Sequence, residues 1–154
     1  MFIEVDTYTD GSCKVNPGEG GWSYFLVLNK NSILSVKEIF GYELSTTNNR
    51  MEISSVINSV QSLDFSCRIV IYTYSLYLYD SIIFRMSFWE RNNGKTFKGY
   101  DVKNFDLWKK LFFLLKDHIV SWRWVNSHNN NYGNEKADFF AQASVFERRQ
   151  FWNC

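Results

Sequence analysis

The spacing of hydrophobic and polar positions changes along the chain, and the first third is typical of strands. Apolar and polar residues alternate over 2–9, and two further segments with strand character follow over 22–28 and about 33–44, which predicts three strands. A glycine-rich turn at 16–21 and a polar break at 29–31 separate them. Three consecutive strands joined by tight turns predict an antiparallel meander.

The spacing then becomes helical. Thr46 or Thr47 can cap a helix whose apolar residues recur every three or four positions between Met51 and Leu63. The remaining predicted elements are a buried strand over 68–73, a short helix over 75–84, a helix over 107–119, a strand over 120–125 and a last helix over 134–146. This order predicts an α/β fold with a five-stranded mixed sheet flanked by helices, antiparallel first and parallel later.

Composition places the chain among globular domains of a reducing compartment. Its 154 residues fit one domain, and 45% hydrophobic residues provide a core. Three dispersed cysteines predict reduced thiols rather than a disulfide framework or a zinc site. The sequence has no apolar run of the ~20 residues that a membrane span needs, and no basic leader. We therefore expect a single domain over 1–154, with no membrane association and a cytoplasmic location.

Three acidic residues are candidates for a metal site. Asp10 stands beside Gly11 at the predicted end of the first strand, Glu52 lies in the first helix, and Asp138 lies in the last predicted helix. Carboxylate oxygens are the ligands that Mg²⁺ and Mn²⁺ prefer. From spacing alone, ordinary surface acids remain the alternative interpretation.

Several motifs together resemble type 1 ribonuclease H, and most closely its bacterial form. They are TDGSC at 9–13, NPG at 16–18, TTNNRME at 46–52, VKNFDLW at 102–108, WVNSH at 124–128 and NEKAD at 134–138. The resemblance covers nearly the whole chain and implies the ribonuclease H fold. It also implies hydrolysis of the RNA strand of RNA/DNA hybrids, with up to two Mg²⁺ or Mn²⁺ ions held by four carboxylates.

One of those four carboxylates is missing. Asp10, Glu52 and Asp138 match three of them, but the family's Thr-Asp-Ser is here Thr-Tyr-Ser, with Tyr74 in place of the acid. A phenol with a pKa near ~10 is neutral at pH 7 and is a poor Mg²⁺ ligand. Asp80 follows more than a helical turn later and does not replace it. We therefore expect one weakened metal site and reduced activity, with Mn²⁺ better tolerated.

The resemblance also implies a catalytic histidine. His128 lies ten residues before Asp138 in an asparagine-rich loop, and in the family this histidine assists water activation or product release. A histidine suits that role because its pKa lies near neutrality. A lone histidine in solvent is the alternative.

Substrate contacts follow from the same motifs. Gly11, Ser12, Asn16 and Asn48 match positions that read 2′-hydroxyls and base edges, which distinguishes RNA from DNA. Thr47 matches part of a phosphate pocket for the DNA strand. Plain turn and capping chemistry is the alternative for the asparagines.

A basic segment, residues 85–110, concentrates charge in a chain of net +1. It carries seven Lys or Arg residues against three acids. By resemblance it is the family's basic protrusion for the DNA strand, with Lys95, Lys98, Lys103 and Trp89 as contacts. Such contacts give salt-dependent affinity without sequence specificity. A solvated helical surface is the alternative.

Three functions remain open from the sequence. The first is an active endonuclease on RNA/DNA hybrids. The second is a catalytically inactive module that binds hybrid or double-stranded RNA, which is favoured by Tyr74 and by Leu76 in place of a glutamine that touches the hybrid. The third, a protein that kept only the fold, is disfavoured by the retained asparagines and the basic segment. A monomer is expected.

Overall fold

The computed structural model describes residues 3–126. The strands are β1 (Ile3–Cys13), β2 (Gly18–Lys30), β3 (Ile33–Thr46), β4 (Cys67–Thr73) and β5 (Ile119–Trp124). The helices are α1 (Asn48–Gln61), α2 (Leu76–Asp80), α3 (Met86–Arg91) and α4 (Phe105–Leu115), with one π-helical turn over Ser81–Arg85 between α2 and α3.

The strands form one sheet in the order β3-β2-β1-β4-β5. The two pairs among β1, β2 and β3 are antiparallel, whereas β4 runs parallel to both β1 and β5. The β2–β3 hairpin turns at Asn31 and Ser32, whose φ angles of 52° and 65° are those of a two-residue turn that matches strand twist. The five-stranded mixed sheet predicted from the sequence is therefore confirmed.

Helix α1 covers one face of the sheet. On β1, the side chains of Val5, Thr7 and Thr9 are buried beneath it, and the hydroxyl of Thr7 is hydrogen-bonded to that of Ser59. Thr47 is the N-cap of α1, and its hydroxyl accepts a hydrogen bond from the Arg50 amide at 3.2 Å. A cap of this kind contributes about 1 kcal/mol. It fixes where the helix begins.

A second group of packed side chains joins α2, α3 and α4. The rings of Trp89 and Trp108 lie 5.9 Å apart at 53°, and Trp108 and Leu111 are almost fully buried. The Trp108 indole donates to the Tyr77 hydroxyl at 3.3 Å. The contact of Trp108 with Tyr77 joins the basic segment to α2.

Several element boundaries differ from the sequence predictions. The second strand begins at Gly18, inside the predicted turn, and the short helix continues through the π-helical turn to Arg91. The helix predicted over 107–119 spans Phe105–Leu115, because Ile119 pairs with Arg68 and starts β5. The last predicted helix, 134–146, lies outside the described residues.

The described helices include none with the length and apolar character needed to cross a bilayer.

Candidate active site

The first candidate residues meet where β1 runs against the start of α1. A Cβ atom built on Gly11 would lie 2.3 Å from the backbone nitrogen of Glu52 and 2.3 Å from the carbonyl carbon of Met51. Any side chain at this position would therefore push the helix away from the strand. Glycine allows the backbones to touch, and this contact brings Asp10 and Glu52 into neighbouring positions.

Both carboxylates at this contact are buried, since Asp10 is 4% exposed and Glu52 is 5% exposed. Asp10 was expected to close the first strand, but β1 continues to Cys13. What ends near Asp10 is the pairing of β1 with β4, whose last pair is Thr9 with Thr73. Beyond that pair, β1 is paired with β2 alone. Asp10 thus lies one residue beyond the end of the parallel pairing between β1 and β4.

Tyr74 lies directly beyond the end of β4, in the bend that leads to α2. Asp10 and Tyr74 each follow the last β1–β4 pair, Thr9 with Thr73, by one residue, so both come directly after the point where the parallel pairing stops. The carbonyl of Tyr74 accepts a hydrogen bond from the Trp124 indole at 3.1 Å. The next residue, Ser75, caps α2 by accepting from the Leu78 amide at 3.1 Å. These two hydrogen bonds hold the backbone at the junction of β4 and α2.

The donor set present fits a hard divalent cation. Two buried carboxylates in neighbouring positions repel each other, and a cation between them offsets the cost of burying both charges. Oxygen ligands alone suit Mg²⁺ or Mn²⁺ rather than softer metals. Across residues 3–126, no set of three His, Cys, Asp or Glu side chains could hold a metal ion. The third and fourth candidates, Asp138 and His128, lie outside the described residues.

Two predicted substrate residues already have structural contacts. The side-chain oxygen of Asn16 accepts a hydrogen bond from the Asn48 amide at 3.1 Å, which ties the β1–β2 connection to the start of α1. The Thr47 hydroxyl is used as a helix cap. The structure brings these residues together with Gly11 and Ser12 at one end of α1 and β1, beside the two carboxylates.

Part of the basic segment is neutralised within the protein. Lys95 forms an ion pair with Asp101. The side chains of Lys98 and Lys103 are exposed. Trp89 is only 9% exposed and packs against Trp108. The ring of Trp89 thus contributes to the core, and its expected place in the DNA-binding channel stays a prediction.

An ion pair that sequence reasoning missed links α1 to α4. The two guanidinium nitrogens of Arg50 donate to Asp106 at 3.0 and 2.8 Å, and this bonding lowers the pKa of the Asp106 carboxyl. Asn104 accepts from Arg50 at 3.4 Å and donates to the Tyr77 hydroxyl at 3.2 Å. The sequence contained one signal. Arg50 lies in the first turn of α1, where a cation is unfavourable because of the helix dipole, so an acidic partner from another element was to be expected.

Leu76 is the second residue at which the sequence departs from the family's pattern, and it is 51% exposed at the start of α2. Tyr74 precedes it by two residues. An apolar side chain at this exposed position offers no hydrogen bond to a nucleic acid. The departures from the family's pattern therefore cluster on one side of the site.

Comparison with known proteins gives consistent relatives. The RNase H family model matches residues 3–146. The ribonuclease H of Rickettsia massiliae is 47% identical over 141 residues, covering 92% of this chain and 90% of the relative. The ribonuclease H of Francisella tularensis subsp. novicida is 46% identical, covering 93% and 91%.

A solved structure agrees with these relatives. LC9-RNase H1, described as a type 1 RNase H with the type 2 active-site motif, superposes with a TM-score of 0.84 at 27% identity. The match covers 96% of this chain and 74% of that one. Sequence and fold give the same assignment over almost the full length: this chain belongs to the ribonuclease H family.

Proposed function

We propose that this chain binds RNA/DNA hybrids and cleaves the RNA strand endonucleolytically with the help of divalent cations. The observation that carries the proposal is the contact at Gly11, which brings β1 against the start of α1, where Asp10 and Glu52 are both buried. Identity of 46–47% to proteins named ribonuclease H, over more than nine-tenths of the chain, supports the same activity.

The protein's own residues hold and orient the reacting groups. Asp10, Glu52 and Asp138 would hold Mg²⁺ or Mn²⁺, up to two ions, which when bound supply an activated water and neutralise charge on the phosphate. His128 would take up or deliver the proton at the edge of the site. These assignments combine the described carboxylates with two residues that the family's motifs supply.

Recognition of the hybrid rests on two surfaces. The Gly11 backbone and the amides of Asn16 and Asn48 would contact 2′-hydroxyls and base edges across the minor groove, which distinguishes an RNA strand from DNA. Ser12 and Thr47 would contribute to the same face of the site. The basic segment would hold the DNA strand through phosphate contacts by Lys98 and Lys103, and by Lys95 once it exchanges its bond to Asp101.

We expect this chain to cleave more slowly than other members of its family. Tyr74 stands where a carboxylate would complete one of the two metal sites beside Asp10. A neutral phenol adds no charge and fills space that an ion and its water would occupy. We expect weak cleavage with Mg²⁺ and partial recovery with Mn²⁺.

A second candidate function is a binding module that holds hybrid or double-stranded RNA without cutting it. The adjacent departures at Tyr74 and Leu76 favour it. In either case, one chain carries every residue assigned to the site, so a single copy suffices as the functional unit. Free thiols at Cys13 and Cys67 suit the cytoplasm as its location.

The test uses an RNA/DNA hybrid with a labelled RNA strand, alongside single-stranded and double-stranded RNA of the same sequence. Cleavage is followed in Mg²⁺ and in Mn²⁺, and binding is followed by fluorescence anisotropy in Ca²⁺. The Asp10→Asn variant is the control for contaminating nuclease.

Cleavage of the hybrid's RNA strand that disappears in Asp10→Asn supports the endonuclease. Binding of hybrid without cleavage in either metal supports the second candidate instead. Absence of both binding and cleavage, in protein that is folded by circular dichroism, contradicts both.

A further inference from the structure

Two aromatic side chains of the basic segment are exposed to solvent. Phe97 is 90% exposed and Tyr100 is 70% exposed, whereas Trp89 and Trp108 of the same segment are buried. Among the residues that the structure describes, no large hydrophobic side chain is more exposed than Phe97. Exposed apolar side chains that lie together, unlike single ones, can mark a binding site.

Both residues belong to one closed loop, residues 95–101, which we call the aromatic loop. Its ends are joined by an antiparallel β-bridge and an ion pair between Lys95 and Asp101. Inside the loop, the Thr96 amide donates to the Tyr100 carbonyl at 2.7 Å, and the Tyr100 amide donates to the Thr96 hydroxyl at 3.1 Å. These bonds hold the loop independently of its aromatic side chains.

The base of the aromatic loop is fixed to the turn that follows α3. The side-chain amide of Asn92 donates to the carbonyls of Lys95 and Thr96 at 3.1 and 3.3 Å. The Val102 amide donates to the Gly94 carbonyl at 2.9 Å. A loop that is ordered before binding loses less entropy when a ligand contacts its side chains. The aromatic loop is therefore a preformed support for its two rings.

We propose that Phe97 and Tyr100 stack on unpaired bases of the DNA strand where that strand extends beyond the RNA/DNA hybrid. The inference rests on the proposed function, which assigns the DNA strand to the basic segment. It adds a site for bases to a surface that is expected to bind phosphates.

The chemistry of the two rings favours unpaired nucleotides over a duplex. In a duplex, the face of each base is covered by its neighbours, so an exposed ring finds a stacking partner where bases are unpaired. Stacking of this kind tolerates any sequence, because every base has a π-face. It is therefore compatible with the non-specific phosphate contacts of the lysines.

The charge around the aromatic loop favours a nucleic acid over an apolar partner. Residues 91–103 carry four Lys or Arg residues against one acid. Lys98 stands between Phe97 and Tyr100 in the sequence, and its side chain is exposed. Cations close to aromatic rings suit a single strand, because each nucleotide offers one phosphate and one base.

The test measures binding by fluorescence anisotropy in Ca²⁺. One ligand is a blunt RNA/DNA hybrid, and the others carry an overhang of about six thymidines on either end of the DNA strand, or of uridines on either end of the RNA strand. A DNA overhang should increase the affinity by about tenfold or more over the blunt hybrid, because the stacking of a single base has an effect of about that size.

The variants are compared by the ratio of the affinities for the DNA-overhang hybrid and the blunt hybrid. Phe97→Ala and Tyr100→Ala should each lower this ratio several-fold, whereas Tyr100→Phe, which keeps the ring, should preserve it. Phe113→Ala is the matched control, because Phe113 is also exposed, at 71%, but lies on α4 outside the aromatic loop. It should leave the ratio at its wild-type value.

Three results would overturn the inference while leaving the proposed function in place, provided that the blunt hybrid binds. The first is a DNA overhang that adds no affinity, the second is a gain that survives in both alanine variants, and the third is an equal gain from RNA overhangs. Absence of binding to every hybrid, in protein that is folded by circular dichroism, contradicts the proposed function and the inference together.

Discussion

At the scale of single residues, the site depends on a glycine that lets two backbones touch. The amide of Glu52 would lie only 2.3 Å from a Cβ atom on Gly11, and the obstacle is backbone rather than a side chain that can turn away. The close approach of β1 and α1, which carry Asp10 and Glu52, therefore requires that residue 11 has no Cβ atom. Small displacements matter here because misplacement by about 1 Å can reduce a rate about a hundredfold.

Gly11→Ala should reduce both stability and catalysis. The added methyl group must push α1 from β1, which we expect to cost about 1–3 kcal/mol of the free energy of unfolding. Hydrolysis should fall about a hundredfold because the carboxylates separate. The measurement is thermal melting together with hybrid cleavage, made in a Tyr74→Asp background so that the loss is measurable.

Gly41→Ala is the matched control for this prediction. A Cβ atom there would lie 2.2 Å from the ring of Trp22, so it too is crowded, but it lies on β3 away from the carboxylates. It should lose stability without a comparable loss of cleavage. Equal cleavage by Gly11→Ala and wild-type background would show that the contact does not position the site.

At Tyr74 the carboxylate expected from the family is absent, although the backbone at this position is held in place. Its backbone is held by the Trp124 indole and by the cap at Ser75, neither of which depends on the tyrosine side chain. The fold therefore tolerates the substitution, and its consequence falls on the chemistry. This is why the substitution is expected to be reversible.

At the scale of elements, the histidine that directly precedes β5 is hydrogen-bonded to the first residue of β4. The Nδ1 atom of His118 accepts a hydrogen bond from the Cys67 amide at 3.1 Å. Burial lowers the pKa of His118, while the smaller effect of Asp117 raises it. The bond requires an imidazole that is unprotonated at Nδ1.

The sign of the pH dependence follows from this lowered pKa. The folded protein binds the His118 proton less readily than the unfolded chain, whose histidine titrates near ~6.5. The contribution to stability is thus complete above about pH 6.5 and is lost as pH falls through the folded-state pKa. Urea unfolding at pH 7.5, 6.5 and 5.5 should show that the free energy of unfolding decreases as the pH decreases.

His118→Asn serves as the control, because its side-chain oxygen can accept the same bond without titrating. Its stability should vary less over that pH range than the stability of the wild type. His128 is present in both proteins, so the difference isolates His118. Identical pH profiles for the two proteins would contradict the assignment.

Element identities could be predicted from sequence more fully than element ends. Alternation over the first strands and helical spacing in α1 are local signals, and both elements are present as expected. Ile119 fits the helical spacing of α4, yet it pairs with Arg68 in the sheet. Pairing with a residue so distant in sequence leaves no local trace, so the helix was predicted too long.

The candidate site could be predicted in the same uneven way. Asp10 and Glu52 stand in motifs that mark them as candidate metal ligands, and the contact at Gly11 brings together the strand and the helix that carry them. The bond between Arg50 and Asp106 joins residues far apart in the chain and carries no spacing signal. The resemblance predicts that Trp89 is a nucleic-acid contact, whereas its packing against Trp108 could not be predicted because that contact depends on the fold.

At the scale of the whole molecule, the fold separates two proposed tasks, metal binding and hybrid binding. The carboxylates lie where the pairing of β1 with β4 ends, and the basic segment is anchored by the tryptophans of α3 and α4. A chain of net charge +1 can bind a polyanion because its cations are concentrated in one segment. These tasks can therefore be altered independently.

The central claim is that this chain retains a ribonuclease H scaffold whose activity is limited by one missing carboxylate. The most direct test compares wild type, Tyr74→Asp and Tyr74→Phe in Mg²⁺-dependent cleavage of an RNA/DNA hybrid. Loss of a group that merely orients a metal ligand costs 10- to 100-fold, so restoring a ligand should raise kcat/KM by about a hundredfold or more. Tyr74→Phe, which removes only the hydroxyl, should cleave as slowly as wild type. Wild-type cleavage as fast as that of Tyr74→Asp would contradict the account.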